Sequence, residues 1–432
     1  MRGDLLRPGD GGFDMARELF NPLTDDRVPA AVARCASVSD VREAVLAAGG
    51  RVPVAARGGG HSYVGYSAPP QGLAVDLRLM SGVEVLADGS AVIGAGAVLG
   101  DVYRGLAQAN RCLPGGTCPT VGIAGLTLGG GIGVLQRKFG LTCDHLTAVE
   151  IVMADGTVRT VSETSSPDLF WALRGGGGGN FGIVTSFVFT TDAAPAPTVF
   201  RLRFPAGRVP QVLSGWQPWI SSAPRALWAN LNISGSDTAP KCSVSGCYVG
   251  PGSDCAPLLD DLERRCGVRP DSRSMQEGSY LDAMGFFSGN TGRQSFVASS
   301  RVLGRPTDDP AALVRTMEGR RGIALILDPL GGAITDVPPG GTAFPHRTAF
   351  ATAQIYASAT AATEAEVTRK VGEVVAGLGA LGVGGGYVNY IDPALPDWAA
   401  AYYGAGLERL RSVARACDPH GVFAFPQGLT RA

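Results

Sequence analysis

Three concentrations of glycine limit what this chain can fold into. Arg57-Gly58-Gly59-Gly60-His61-Ser62 carries three in succession, Leu113 to Gly133 holds eight among 21 residues, and Gly175 to Gly179 is an unbroken run of five. Without a Cβ, glycine turns the backbone at positive φ and lets it come close to another group, but it weakens helix and strand interiors. All three stretches therefore read as loops. A loop of this kind points several N–H groups at one spot, which suits a pyrophosphate. The second stretch is not a linker. Linkers are polar and Ser-rich, whereas Val121, Ile123, Leu126, Leu128 and Ile132 are interleaved here. A packed loop must satisfy its N–H groups, and a large bound ligand would supply the acceptors.

Common nucleotide signatures do not fit. No Lys-Ser or Lys-Thr closes the run at 175–182, so it is not a Walker loop, and Gly129 to Gly133 opens no strand–turn–helix unit of the nicotinamide type. The first loop follows a short apolar strand, Val52 to Ala56. Ala30 to Ala36 reads as another strand, followed by a helix capped by Ser39 and ended by Gly49-Gly50. Further strands are expected at 73–77, 91–95 and 183–190. Helices are expected at 101–109 and from Pro167, with a hairpin over 149–161 turning at Asp155-Gly156. Composition shifts at Ala193-Ala194-Pro195-Ala196-Pro197. Beyond it, alternating segments such as Val199 to Phe204 mix with helical stretches at 257–266 and 364–376, which suggests an antiparallel sheet with helices on one face. The chain has 432 residues, above the ~250–300 at which one core stops growing, so two domains are expected.

Charge and cysteine use narrow the classes further. Net charge is −1, which favours neither nucleic acid nor an anionic membrane as partner. No run reaches the ~18 apolar residues of a membrane span. The first residues lack the apolar core of a signal peptide, so the cytoplasm is the expected compartment, with export left open. Nine cysteines include no CxxC pair, so no metal site is expected. Cys242, Cys247, Cys255 and Cys266 are clustered and are read as free thiols, with a disulfide as the alternative.

Taken together, RGGGHSYVGYS (57–67), GGTCPTVGIAGLTLGGGIG (115–133) and RGGGGGNFGIVTSF (174–187) resemble the berberine bridge enzyme-like flavoprotein oxidases of the vanillyl-alcohol oxidase superfamily. FPHR (344–347), YVNYID (387–392) and DPHGVFAFPQGL (418–429) extend the resemblance, in family order, over nearly the whole chain. It implies an α+β fold: a PCMH-type FAD-binding domain split between 1–195 and 385–432, with an antiparallel-sheet substrate domain backed by helices inserted at 196–384. It also implies FAD bonded through the 8α-methyl to His61 and through C6 to Cys118. Arg57, Gly58, Gly59, Gly60, Ser62, Gly116, Thr117, Gly122, Gly125, Gly129, Gly130, Gly182, Ile183, Val184 and Asn389 are the further expected cofactor contacts.

The chemistry so implied is oxidation of a hydroxyl-bearing small molecule, a sugar or a glycosylated or polyketide natural product, with O2 taking the electrons and leaving as H2O2. Oxidative cyclisation is the alternative reaction, and a compound-sequestering flavoprotein is the alternative of another class. Either a monomer or a homodimer suits it. Oxidation needs a base near the reacting group, and the resemblance points to Tyr390. A phenol with pKa ~10 needs positive charge or donors nearby to serve at neutral pH. Gln354 stands where the plant alkaloid enzyme has a glutamate, which leaves Tyr390, assisted by Tyr356. His145, His346 and His420 are read as structural. Trp216, Trp219 and Trp228 are read as core, with the substrate cleft as the alternative.

Overall fold

The computed structural model describes residues 2–430. Met1, Arg431 and Ala432, at the outer ends of the expected first and third segments, lie outside the described residues. Among the described residues the N-terminal part holds two larger sheets and a two-stranded one, Arg111–Cys112 with Asp192–Ala193. Ala31–Arg34, Leu73–Asp76 and Val54–Arg57 pair in parallel, with Asp4–Leu6 antiparallel at one edge. The helix Val38–Ala48 makes the crossover that parallel strands require. Its cap is Ser37, whose side chain accepts from Asp40 N–H, not Ser39. The helix thus starts two residues earlier than expected, and Val41, Ala44, Val45 and Ala48 lie on its buried face. The second sheet is antiparallel, in the order Val83–Val85, Ala91–Gly94, Ile183–Phe189, Leu146–Val152, Val158–Ser162.

One expectation fails inside the second glycine stretch. Ile123–Leu128 is a helix, with the backbone of Gly122 as its cap and Gly129 at its end. Five of its six residues are not glycine, and Ile123, Ala124, Thr127 and Leu128 are buried. Packing outweighs the propensity cost of Gly125.

A seven-stranded antiparallel sheet lies in the order Ser272–Glu277, Thr198–Phe204, Lys241–Tyr248, Leu227–Ser234, Ile323–Pro329, Ala351–Ser358, Phe296–Leu303. Strand side chains alternate between faces, and here the two faces have different tasks. Leu227, Ala229, Leu231 and Ile233 pack into an apolar core with Leu325, Leu327, Ala353 and Ile355, shared with the helices Val209–Ser222, Gly252–Cys266 and Glu364–Ala380. The intervening residues Trp228, Asn230, Ile326, Asp328, Gln354 and Tyr356 face a cavity. Among the described residues no helix is long and apolar enough to cross a membrane, and all nine cysteines are free.

Candidate active site

The cavity is about 680 Å³, within the ordinary range for cofactor and ligand sites. All three glycine stretches reach it. Gly58, Gly59, Gly60, His61 and Ser62 meet Gly116, Thr117, Cys118, Gly122 and Gly125 on one side, with Gly182 and Val184 further along. Contact between the first two loops is too close for side chains. A Cβ on Gly59 would lie 2.3 Å from Gly122 N and 2.7 Å from the Thr120 carbonyl oxygen.

His61 and Cys118, 57 positions apart in the chain, converge on one hydroxyl. His61 Nε2 is 2.9 Å from Thr120 Oγ1, and Cys118 Sγ is 3.3 Å from the same atom. Phe20 stacks on the imidazole with ring centroids 3.9 Å apart. Burial lowers the His61 pKa to about 4, so the ring is neutral at pH 7 and keeps a nitrogen lone pair.

Four expected cofactor residues do not line the cavity. The Arg57 side chain is 1% exposed and turned into an ion pair with Asp76, Nη2 to Oδ2 2.6 Å, on the paired strand position. Ile183 falls on the core-facing side of its strand. Gly129 and Gly130 serve packing: a Cβ on the first would meet Asn389 Oδ1 at 2.1 Å, and on the second the Phe344 ring at 2.8 Å. Asn389 does line the cavity, held by Nδ2 donating to the Leu126 carbonyl and to the Tyr387 hydroxyl.

Tyr390, Tyr356 and Gln354 all line the cavity. Tyr63 stacks on Tyr390 at 5.6 Å between centroids and 7° between planes, and Tyr387 meets Tyr390 edge-on at 5.0 Å. Gln354 Nε2 donates to the Tyr63 hydroxyl, and the Tyr356 hydroxyl donates to Gln294 Oε1 at 3.1 Å. The Tyr390 side chain makes no hydrogen bond among the described residues, so its hydroxyl is free to meet a ligand. Among the described residues, neither the positive charge nor the donors expected to lower its pKa act on it. Burial, and then the charge of Asp328, push the Tyr390 pKa well above its ordinary value.

Asp328 is the group that the sequence reading missed. It faces the cavity, 8% exposed, with Asn230 Nδ2 at 3.4 Å from its Oδ1. Burial pushes its pKa up to about 7. Trp216 and Trp219 are core residues whose indole N–H groups donate to the Ala229 and Leu258 carbonyls. Trp228 instead lines the cavity, and its Nε1 has no partner. Ser67 Oγ and Gln427 Oε1, also in the lining, are likewise buried and unpaired. Buried polar atoms without partners are rare in native folds, so these three call for a polar ligand. His346 and His145 bond the Gly386 and Phe139 carbonyls at 2.7 and 2.9 Å, bracing loops rather than facing the cavity.

A glycine-lined cavity of this volume with unpaired donors and acceptors fits a dinucleotide flavin. Residues 29–162 match the family described as FAD binding domain, and residues 386–430 match the one described as berberine and berberine like. An uncharacterized FAD-linked oxidoreductase of Bacillus subtilis is 33% identical, over 99% of this chain and 97% of its own. The chain belongs to the berberine bridge enzyme-like FAD-linked oxidoreductases. Xylooligosaccharide oxidase of Thermothelomyces thermophilus is 33% identical to this oxidoreductase, over 94% of this chain and 88% of its own. A solved glucooligosaccharide oxidase of Acremonium strictum, described with 6-S-cysteinyl, 8α-N1-histidyl FAD, superposes with a TM-score of 0.88 at 28% identity, over 98% of this chain and 95% of its own. The flavin cofactor of this oxidoreductase is FAD, and its fold is the α+β PCMH-type fold expected from the motifs.

Proposed function

We propose that this oxidoreductase is an oligosaccharide-type alcohol oxidase with FAD bonded to both His61 and Cys118. In this reading the FAD-binding domain comprises 1–195 and 385–432, and the substrate domain is 196–384. Bound FAD supplies a two-electron acceptor for the substrate hydride and a route for those electrons to O2, which leaves as H2O2. The glycine cradle and the unpaired Ser67 and Gln427 atoms hold the cofactor. The meeting of His61 and Cys118 at Thr120 supports the double attachment.

The observation that carries the catalytic reading is that Tyr390 and Asp328 line one cavity, close enough for the charge of Asp328 to act on Tyr390. Tyr390 alone is a poor base, because burial and a neighbouring carboxylate both hold its proton on. Asp328 has the acidity suited to a base near neutral pH. Two interacting groups titrate as a pair, and this pair carries one negative charge above pH about 7. The substrate hydroxyl gives its proton to that pair as its carbon loses hydride. Gln354 holds Tyr63 by a hydrogen bond, and Tyr63 stacks on the Tyr390 ring. The substrate end combines the aromatic faces of Trp228 and Phe287 with the amides of Asn230, Asn290 and Gln294, a set that matches the apolar faces and hydroxyls of a sugar.

Peroxide release from a panel of xylo-, gluco- and chitooligosaccharides and of non-sugar alcohols tests the substrate class. Tyr390→Phe should keep its FAD and lose roughly 10²–10⁴-fold in turnover. Full turnover in that variant removes Tyr390 from the base.

A further inference from the structure

Thr120 stands where the two attachment loops meet. Its hydroxyl is the only side-chain hydrogen-bond partner of either His61 or Cys118 among the described residues. A hydroxyl has one proton to donate and lone pairs to accept with, so it cannot donate to both neighbours. One arrangement that serves both has His61 Nε2–H donating to Oγ1 and Oγ1–H donating to the Cys118 sulfur. The first bond leaves the lone pair on Nδ1, which has no hydrogen-bond partner among the described residues. The second aims the hydroxyl proton at the Cys118 sulfur and fixes the direction of its side chain.

We propose that Thr120 is a positioning residue for flavin attachment, presenting His61 through Nδ1 and orienting the Cys118 sulfur through one shared hydroxyl. This rests on the double-attachment reading above. Each attachment replaces one flavin C–H and one N–H or S–H by a C–N or C–S bond. The two protons and two electrons released in each case go to O2, giving H2O2. His61 is also held by the Phe20 ring, whereas Cys118 has no other side-chain hydrogen-bond partner among the described residues, so the sulfur bond depends more on Thr120 than the nitrogen bond does. The stacking of Phe20 on His61 holds the imidazole ring whichever side chain occupies position 120.

The test compares Thr120→Ser, Thr120→Ala and Thr120→Val, made with FAD in excess, with the native protein, His61→Ala and Cys118→Ala. Flavin retained on the acid-precipitated chain is measured, with peptide masses around residues 61 and 118, so turnover is not the readout. Serine and alanine both lose the methyl group, and only serine keeps the hydroxyl. Thr120→Ser should keep both bonds. Thr120→Ala should hold FAD when folded, with the Cys118-linked fraction lower by about tenfold. Thr120→Val, which restores side-chain volume, should match alanine and decides the matter if alanine fails to hold FAD. Wild-type attachment in Thr120→Val, or a loss in Thr120→Ser as deep as in alanine, overturns the proposal. Native protein that releases all its flavin into acid overturns the double attachment and this proposal with it. Native retention with an unchanged Thr120→Ala overturns this proposal alone.

Discussion

Asp328→Asn tests the site where its electrostatics are most exposed. The native carboxyl is pushed up to about 7 by burial, and the proposed reaction needs it ionised. At pH 5, two units lower, roughly one chain in a hundred carries the charge, so kcat/KM should fall about 100-fold from its plateau above pH 8. The amide of the Asp328→Asn variant does not titrate, so its profile should be flat across this range and at least ~100-fold below the native plateau. Stability should move the other way. A carboxyl whose folded pKa exceeds its unfolded 3.8 favours the folded state when protonated. That contribution is complete below pH 3.8 and is lost as pH rises to about 7. About three units correspond to a ceiling of about 4 kcal/mol. The variant should therefore melt higher than the native protein at pH 8 and level with it near pH 4. The assay is peroxide release on one oligosaccharide from pH 5 to 9, with FAD content held equal, beside calorimetry at the two pH values. A native profile with no inflection near pH 7, or a variant profile that keeps one, refutes the reasoning.

Arg57→Met breaks the buried pair with Asp76 and should cost roughly 3 kcal/mol in denaturant unfolding, the low end for such pairs because Arg78 stays on Asp76 at 2.8 Å. Its FAD content should stay native; lost FAD at native stability would return Arg57 to the cofactor. Gly59→Ala puts a methyl group 2.3 Å from Gly122 N, so the two loops must part, and flavin absorbance per purified chain should fall severalfold. Unchanged flavin loading would mean that the loops need not touch.

His61, Cys118 and the cradle glycines are legible in the sequence because each lies inside a short run whose composition is hard to explain otherwise. The antiparallel sheet is legible from alternation. Arg57 misleads because its position beside three glycines suggests a ligand, while its real partner, Asp76, is fixed by strand register. Asp328 escapes notice for a related reason. It is a lone acid in the apolar run Ile323-Ala324-Leu325-Ile326-Leu327-Asp328, and only the folded chain brings it to the cavity that Tyr390, from the turn Val388–Tyr390, also lines. The available signal is its parity: it shares a face with Ile326, opposite the core-facing Leu325 and Leu327. Phe20 and Thr120 carry no signal of their own, since each acts through a residue of another segment or loop.

The alternation along Leu227–Ser234, Ile323–Pro329 and Ala351–Ser358 also bears on how such a protein can change its diet. Alternate side chains hold each strand to its helices, and between them Trp228, Asn230, Ile326, Asp328, Gln354 and Tyr356 belong to the chamber. Exchanges at Trp228, Asn230 or Ile326 can reshape what enters while Leu227, Ala229 and Leu325 keep the wall standing. A lineage or an engineer can thus retool appetite on one side of the sheet without loosening the masonry on the other.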